Sequence, residues 1–234
     1  MRKHPTLPQM NWLCAPLAIF MVIAPSNVAL TNRPAAAGPR PTFALDSARQ
    51  PSMPVAYWID SRFTPQEATA IRSAFSAWEE GSGSRVSFLF MGRRDARAGA
   101  KDDGQTTVVR SDRPLGDRSG DEVALVVRSY ASTKSGTLTR YSDTDIVFDF
   151  SGRVAWSTSD ASGTQDLESV ALHEVGHVLG LEHVRDSSQA MYPYTSRDAG
   201  WRRSPAEGDL EGLAAAYPNY RVSARPGAGA QLLQ

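Results

Sequence analysis

Hydrophobic positions along the chain recur with two periods, and the switches between them mark out the elements. Residues 54–60, Pro-Val-Ala-Tyr-Trp-Ile-Asp, have the β-branched and aromatic content of a strand. Thr64-Pro65-Gln66-Glu67 then forms a capping box with proline at the first helical position. Ile71, Phe75 and Trp78 follow at helical spacing, so this helix has a core face, and Gly81 and Gly83 stop it. Residues 85–91 alternate around Val86, Phe88 and Phe90 and predict a second strand. The polar stretch 92–104, with Gly92, Gly99 and Gly104, reads as a surface loop. Three further strands are expected at 106–110, 122–130 and 145–150, with 137–141 pairing with the last across a turn around Ser142-Asp143. A second helix is expected from Asp166 to Gly180, with acidic residues in its first turn, where the helix dipole favours them, and glycine at its end. A final helix starts at a second capping box, Ser204-Pro205-Ala206-Glu207, and runs to about Tyr217 before Pro218.

Outside residues 53–218 the pattern fades. Residues 38–52 are rich in proline and alanine and read as an extended linker, and 219–234 are small and polar, a tail expected to be disordered. The first 37 residues, approximately, read as an export signal. Arg2 and Lys3 precede an apolar run from Trp12 to Ala24, and small residues follow at Ala29 and at 35–38. The run contains Pro16 and is shorter than the ~20 residues of a spanning helix. A cleaved signal is therefore preferred to a membrane anchor, and the mature domain is expected outside the cytoplasm, extracellular or periplasmic. Cys14, the single cysteine, lies inside this run, so the mature chain would hold no disulfide and do no thiolate chemistry.

Composition narrows the partners. Of 234 residues, 41% are hydrophobic and 21% charged, enough for one domain with a proper core. Lys+Arg 25 against Asp+Glu 25 leaves zero net charge, and no field to hold nucleic acid or an anionic membrane. A monomer is the expected form.

The chemistry concentrates in eleven residues. Of four histidines, three fall in His173-Glu-Val-Gly-His177-Val-Leu-Gly180-Leu-Glu-His183. Histidines four apart on a helix project from one face, so their nitrogens can converge on one zinc ion at ~2.0–2.1 Å. A straight helix would carry residue 183 away. Gly180 accepts the left-handed conformation that turns the chain, so His183 can approach the same ion from another side. Three histidines leave a fourth position open for water, the mark of a catalytic rather than a closed structural site, with Glu174 beside it as the candidate general base.

These residues, followed by Met191, resemble the metzincin signature with its methionine turn. Among metzincins the resemblance is to the matrixins, relatives of the matrix metalloproteinases, particularly the small bacterial type. It is carried by Met191-Tyr-Pro-x-Tyr194, by the lead-in 166–172, by Ser204-Pro-x-Glu-x-Asp209 with Tyr217-Pro218, and more weakly by Tyr57-Trp58 and Ala74-Phe75-x-x-Trp78. It implies an α+β fold with a twisted, mostly parallel sheet, two packed helices, and a small C-terminal part holding the methionine turn and final helix. It also implies that Met191 packs beneath the metal, that Tyr194 walls a substrate pocket, and that the edge strand at 122–130 receives an extended substrate. The chain departs from the family in carrying Val184 where serine is usual. It also lacks the histidines of a second zinc site and the cysteine that keeps many members latent. Calcium is common in the family. Asp102, Asp103, Asp117, Asp121 and Asp143 offer oxygen ligands, although each reads individually as a solvated loop residue. The expected activity is zinc-dependent peptide-bond hydrolysis of protein or peptide substrates. A non-catalytic zinc module that binds protein, or an esterase or amidase with a closed cleft, are the alternatives.

Overall fold

The computed structural model describes residues 42–97, 99–116, 122–132, 139–159, 161–193 and 202–219. Its elements in chain order are β1 (Ala44–Leu45), β2 (Ala48–Arg49), β3 (Val55–Asp60), α1 (Pro65–Gly81), β4 (Phe88–Arg94), β5 (Thr106–Ser111), β6 (Ala124–Ser132), β7 (Thr139–Asp149), β8 (Trp156–Ser157), β9 (Gln165–Asp166), α2 (Leu167–Val178), β10 (Leu181–Glu182) and α3 (Glu207–Ala216).

Six strands form one sheet in the order β4-β3-β5-β7-β6, with β2 beside the first half of β7. All pairings in it are parallel except β6 with β7, so β6 is an antiparallel edge strand. The architecture is the expected α+β arrangement. Alternation places Val55, Tyr57 and Ile59 of β3 inward, where they meet Ile71, Phe75 and Trp78 of α1. Tyr57 stacks on Phe75 at 3.8 Å between ring centroids. The Thr64–Glu67 capping box forms as read, with each side chain serving the other's backbone N–H.

α2 lies across this layer, and Leu172, Val175 and Leu179 complete the core. Nearly every residue from Leu167 to Val178 is buried, His173, Glu174 and His177 among them, so these polar side chains must find their partners inside the fold. The indole N–H of Trp78 reaches the Leu172 carbonyl at 2.8 Å and pins α1 to α2.

Several expectations shift. Residues 142–145 do not turn: β7 runs unbroken from Thr139 to Asp149, and residues 137–138 lie outside the described residues. The polar run stays extended because its carboxylates serve the loop above. Asp143 accepts from the Gln105 N–H at 2.8 Å, and Asp145 from Lys101 and Thr107 at 2.8 and 2.7 Å. The second capping box does not form at Ser204. Helix α3 begins at Glu207, and Asp209 accepts from the Ala206 N–H at 2.8 Å in its place. The strand read at 85–91 begins at Phe88, since the chain is still leaving α1 through Gly83 and Ser84, both at φ +61°.

The chain also enters the fold before Met53. Within the stretch read as linker, β1 pairs antiparallel with β10, and β2 pairs parallel with β7. Strands of two residues held by main-chain bonds leave no periodic side-chain pattern to read. The segment 1–37, read as an export signal, and tail residues 220–234 lie outside the described residues. No helix among those described is long and apolar enough to cross a membrane.

Candidate metal centre

α2 is capped by Asp166, whose carboxylate accepts the Ser169 N–H at 3.0 Å and pairs with Arg203 at 2.7 Å. Two turns on, His173 and His177 project from one side of the helix. Their rings are held from behind. Nδ1 of His173 donates to the Ala190 carbonyl at 2.7 Å, and Nδ1 of His177 to the Leu181 carbonyl at 2.8 Å. Committing both Nδ1 protons fixes the tautomer and leaves both Nε2 lone pairs free.

His183 completes the cluster. Its Nε2 lies 3.1 Å from Nε2 of His173 and 3.1 Å from that of His177. Two nitrogens at ~2.1 Å from one ion in a tetrahedron are about 3.4 Å apart, so the spacing suits a small dication. Among the described residues these three form the group of histidine, cysteine or acidic side chains able to hold a metal ion. Burial disfavours the alternative of protonating them. It pushes His173 down to about 4, His177 well below its ordinary value and His183 down as well.

The turn that delivers His183 depends on Gly180, at φ +86°. A Cβ there would also lie 2.8 Å from the Ala48 carbonyl oxygen of β2. The last carbonyls of the α2 end lack i+4 partners, and three side chains from distant segments serve them, joining the Gly180 N–H in the case of His177. Arg128 Nη2 donates to the His177 carbonyl at 3.0 Å, Gln50 Nε2 to that of Val178 at 3.0 Å, and Tyr217 Oη to that of Leu179 at 2.9 Å.

Glu174 is 5% exposed on the same helix, and burial pushes its carboxyl up to about 8, against the lowering influence of the Arg128 charge. A dication beside it would favour the carboxylate. Met191 is 1% exposed and packs against Gly176, where any side chain would collide with its sulfur and crowd the Trp78 ring. The Met191 turn is held from α3, since Asp209 accepts the N–H groups of Ala190 at 2.8 Å and Met191 at 3.2 Å. Val184, in the place of the usual serine, is buried and donates its N–H to the Met191 carbonyl at 3.0 Å.

The structure thus brings together the three histidines, with Glu174 on the same helix and Met191 packed on Gly176. Tyr194 lies outside the described residues, as do Asp117 and Asp121. Asp143 is buried with one oxygen on the Gln105 N–H, while Asp102 and Asp103 are exposed on the loop. Sequence reasoning missed Arg128, Gln50, Tyr217 and Asp209 as supports of the site. For Asp209 a signal existed, an acidic residue in the first turn of the last helix. For the others none did, because each acts on a segment far away in sequence.

Comparison with known proteins agrees with this geometry. Karilysin from Tannerella forsythia is 53% identical over 45 residues, which cover 19% of this chain and 9% of that protein. Metalloendoproteinase 4-MMP from Arabidopsis thaliana is 52% identical over 40 residues, covering 17% of this chain and 12% of that protein. The chain therefore aligns with only about a tenth of each relative's length. The family model described as Matrixin matches residues 57–218, which take in the sheet from β3 onward and all three helices. That match extends over more than half of the sequence, and the chain belongs to the matrixin family.

Proposed function

We propose that this protein is a secreted zinc-dependent metalloendopeptidase, with His173, His177 and His183 as the metal ligands and Glu174 as the general base. The observation that carries the reading is the convergence of three histidine Nε2 atoms, two of them with Nδ1 already bonded to a backbone carbonyl. Zinc held there would supply a Lewis acid for the scissile carbonyl and lower the pKa of water toward ~7. Glu174 takes the proton of the attacking water on a carboxylate oxygen and passes it to the departing amine. Burial of Glu174 supports that role, since a carboxylate shielded from solvent is both a stronger base and a usable acid afterwards.

The edge strand β6 is the proposed platform for an extended substrate, main chain to main chain, and Tyr194 the proposed wall of its pocket. Met191 acts as the hydrophobic floor of the site, not as a ligand. Location outside the cytoplasm rests on the apolar run at 12–24 and the small residues after it.

The test is Glu174→Ala. Expected are wild-type zinc content and loss of nearly all cleavage of a peptide library, with a zinc chelator abolishing the wild-type activity. A fully active variant removes the base assignment, and a folded wild-type protein that takes up no zinc removes the ligands.

A further inference from the structure

Arg128 comes from β6, yet its guanidinium makes its bonds around the end of the zinc helix. Nη1 lies 3.0 Å from Asp46 Oδ2 and 2.6 Å from Glu182 Oε1, while Nη2 donates to the His177 carbonyl at 3.0 Å. Glu182 sits directly before His183. One planar cation therefore holds the backbone of one metal ligand and the residue next to another. Asp46 is fixed in turn by hydrogen bonds from the hydroxyls of Tyr141 at 2.7 Å and Tyr130 at 3.2 Å.

The main chain repeats the connection. Ala44 and Leu45 pair with Glu182 and Leu181, and the Asp46 N–H donates to the Gly180 carbonyl at 2.9 Å. The turn carrying His183 is thus held both by residues 44–46 and by Arg128, which are bonded to each other.

We infer that Arg128, braced by Asp46, is a positioning residue for the metal: it fixes the Gly180–His183 turn and the end of α2 so that the ligand nitrogens stay convergent. The inference rests on the zinc reading above. An alternative, purely electrostatic role makes the opposite prediction. A positive charge this close to the ligands repels a dication, so removing it would tighten zinc binding if charge were all that mattered. A planar fork that bridges three acceptors is also something lysine cannot reproduce.

The experiment measures zinc release from the full chain into a chromophoric chelator, and the visible spectrum of the cobalt-substituted protein. Arg128→Met is expected to release zinc roughly 10-fold faster than wild type or more, the range found for residues that orient metal ligands. It is also expected to change the cobalt bands. Arg128→Lys keeps the charge, so a charge-only role predicts the wild-type rate, while positioning predicts faster release. Arg153→Ala is the control for general destabilisation, since it breaks the Arg153 pair with buried Asp149 at the end of β7. It is expected to keep the wild-type release rate and cobalt spectrum. Should Arg128→Met fail to fold, Arg128→Lys with Asp46→Asn carries the comparison. Release at or below the wild-type rate in the folded Arg128 variants overturns the inference, as does an equal acceleration in Arg153→Ala. A wild-type chain that binds no zinc overturns the functional reading as well, which separates the two failures.

Discussion

Trp78, buried in the last turn of α1, donates its indole N–H at 2.8 Å to the carbonyl of Leu172, the residue immediately before the first histidine of the site. The bond makes α1 a reference surface for the metal helix as well as its packing partner. Trp78→Phe removes the donor and part of the ring, and should lower stability by about 1–3 kcal/mol. Trp78→Ala should cost about 3–5 kcal/mol. Urea unfolding of both variants checks the order, and a Trp78→Phe variant as stable as the wild type would show that the hydrogen bond contributes nothing beyond packing.

Asp209 is 1% exposed and accepts three backbone N–H groups, from Ala206, Ala190 and Met191. Asp209→Ala leaves the Ala190 and Met191 donors buried and unpaired, at about 1–3 kcal/mol each before relaxation. A fall in melting temperature together with faster zinc loss is expected, because Ala190 also receives the Nδ1 proton of His173. Unchanged zinc retention would separate the methionine turn from the metal.

Gly180→Ala should be among the most damaging single changes near the site. The left-handed φ of +86° costs an L-residue roughly 1–2 kcal/mol, and the added methyl meets a backbone oxygen that no rotamer change can move. Zinc content after dialysis is the readout, and a variant that keeps its metal would mean that the turn can be made another way.

A pH dependence follows from Asp143. Burial, with the charges of Asp145, Asp103 and Asp102 nearby, pushes its carboxyl up to about 7 in the fold. The folded value lies above the ordinary one, so its favourable contribution is complete below about pH 4 and is lost as pH rises through about 7. Asp143→Asn should therefore gain stability relative to wild type between about pH 4 and 7. The gain should be roughly 1–2 kcal/mol, less than the full shift because solvent screens part of it. A difference in melting temperature that stays flat with pH would refute the assignment.

The parts of this protein legible in its sequence are those whose cause is local. The histidine spacing and Gly180 lie within one helix and its turn, and the core face of α1 follows from Ile71, Phe75 and Trp78. β7 was misjudged because Ser142, Asp143, Thr144 and Asp145 have the composition of a turn, and only the loop at 101–107 explains their extended course. β1 and β2 were invisible because main-chain pairing needs no side-chain period. Arg128, Asp46, Gln50 and Tyr217 escaped for a different reason: nothing within ten residues of any of them indicates which distant carbonyl or carboxylate it will meet.

The pairing of β1 with β10 has a consequence for how the protein is made. Residues 44–46 leave the ribosome early, but the strand they embrace lies just before His183 and is among the last pieces of the domain to emerge. That closure joins segments far apart in sequence, the kind of non-local contact whose loop-closure entropy slows folding. Until it happens the turn bearing His183 lacks its main-chain partner strand, although Arg128 still reaches it. The order of synthesis and the order of assembly therefore differ at this turn, and residues 44–46 wait for a partner made about 135 residues after them.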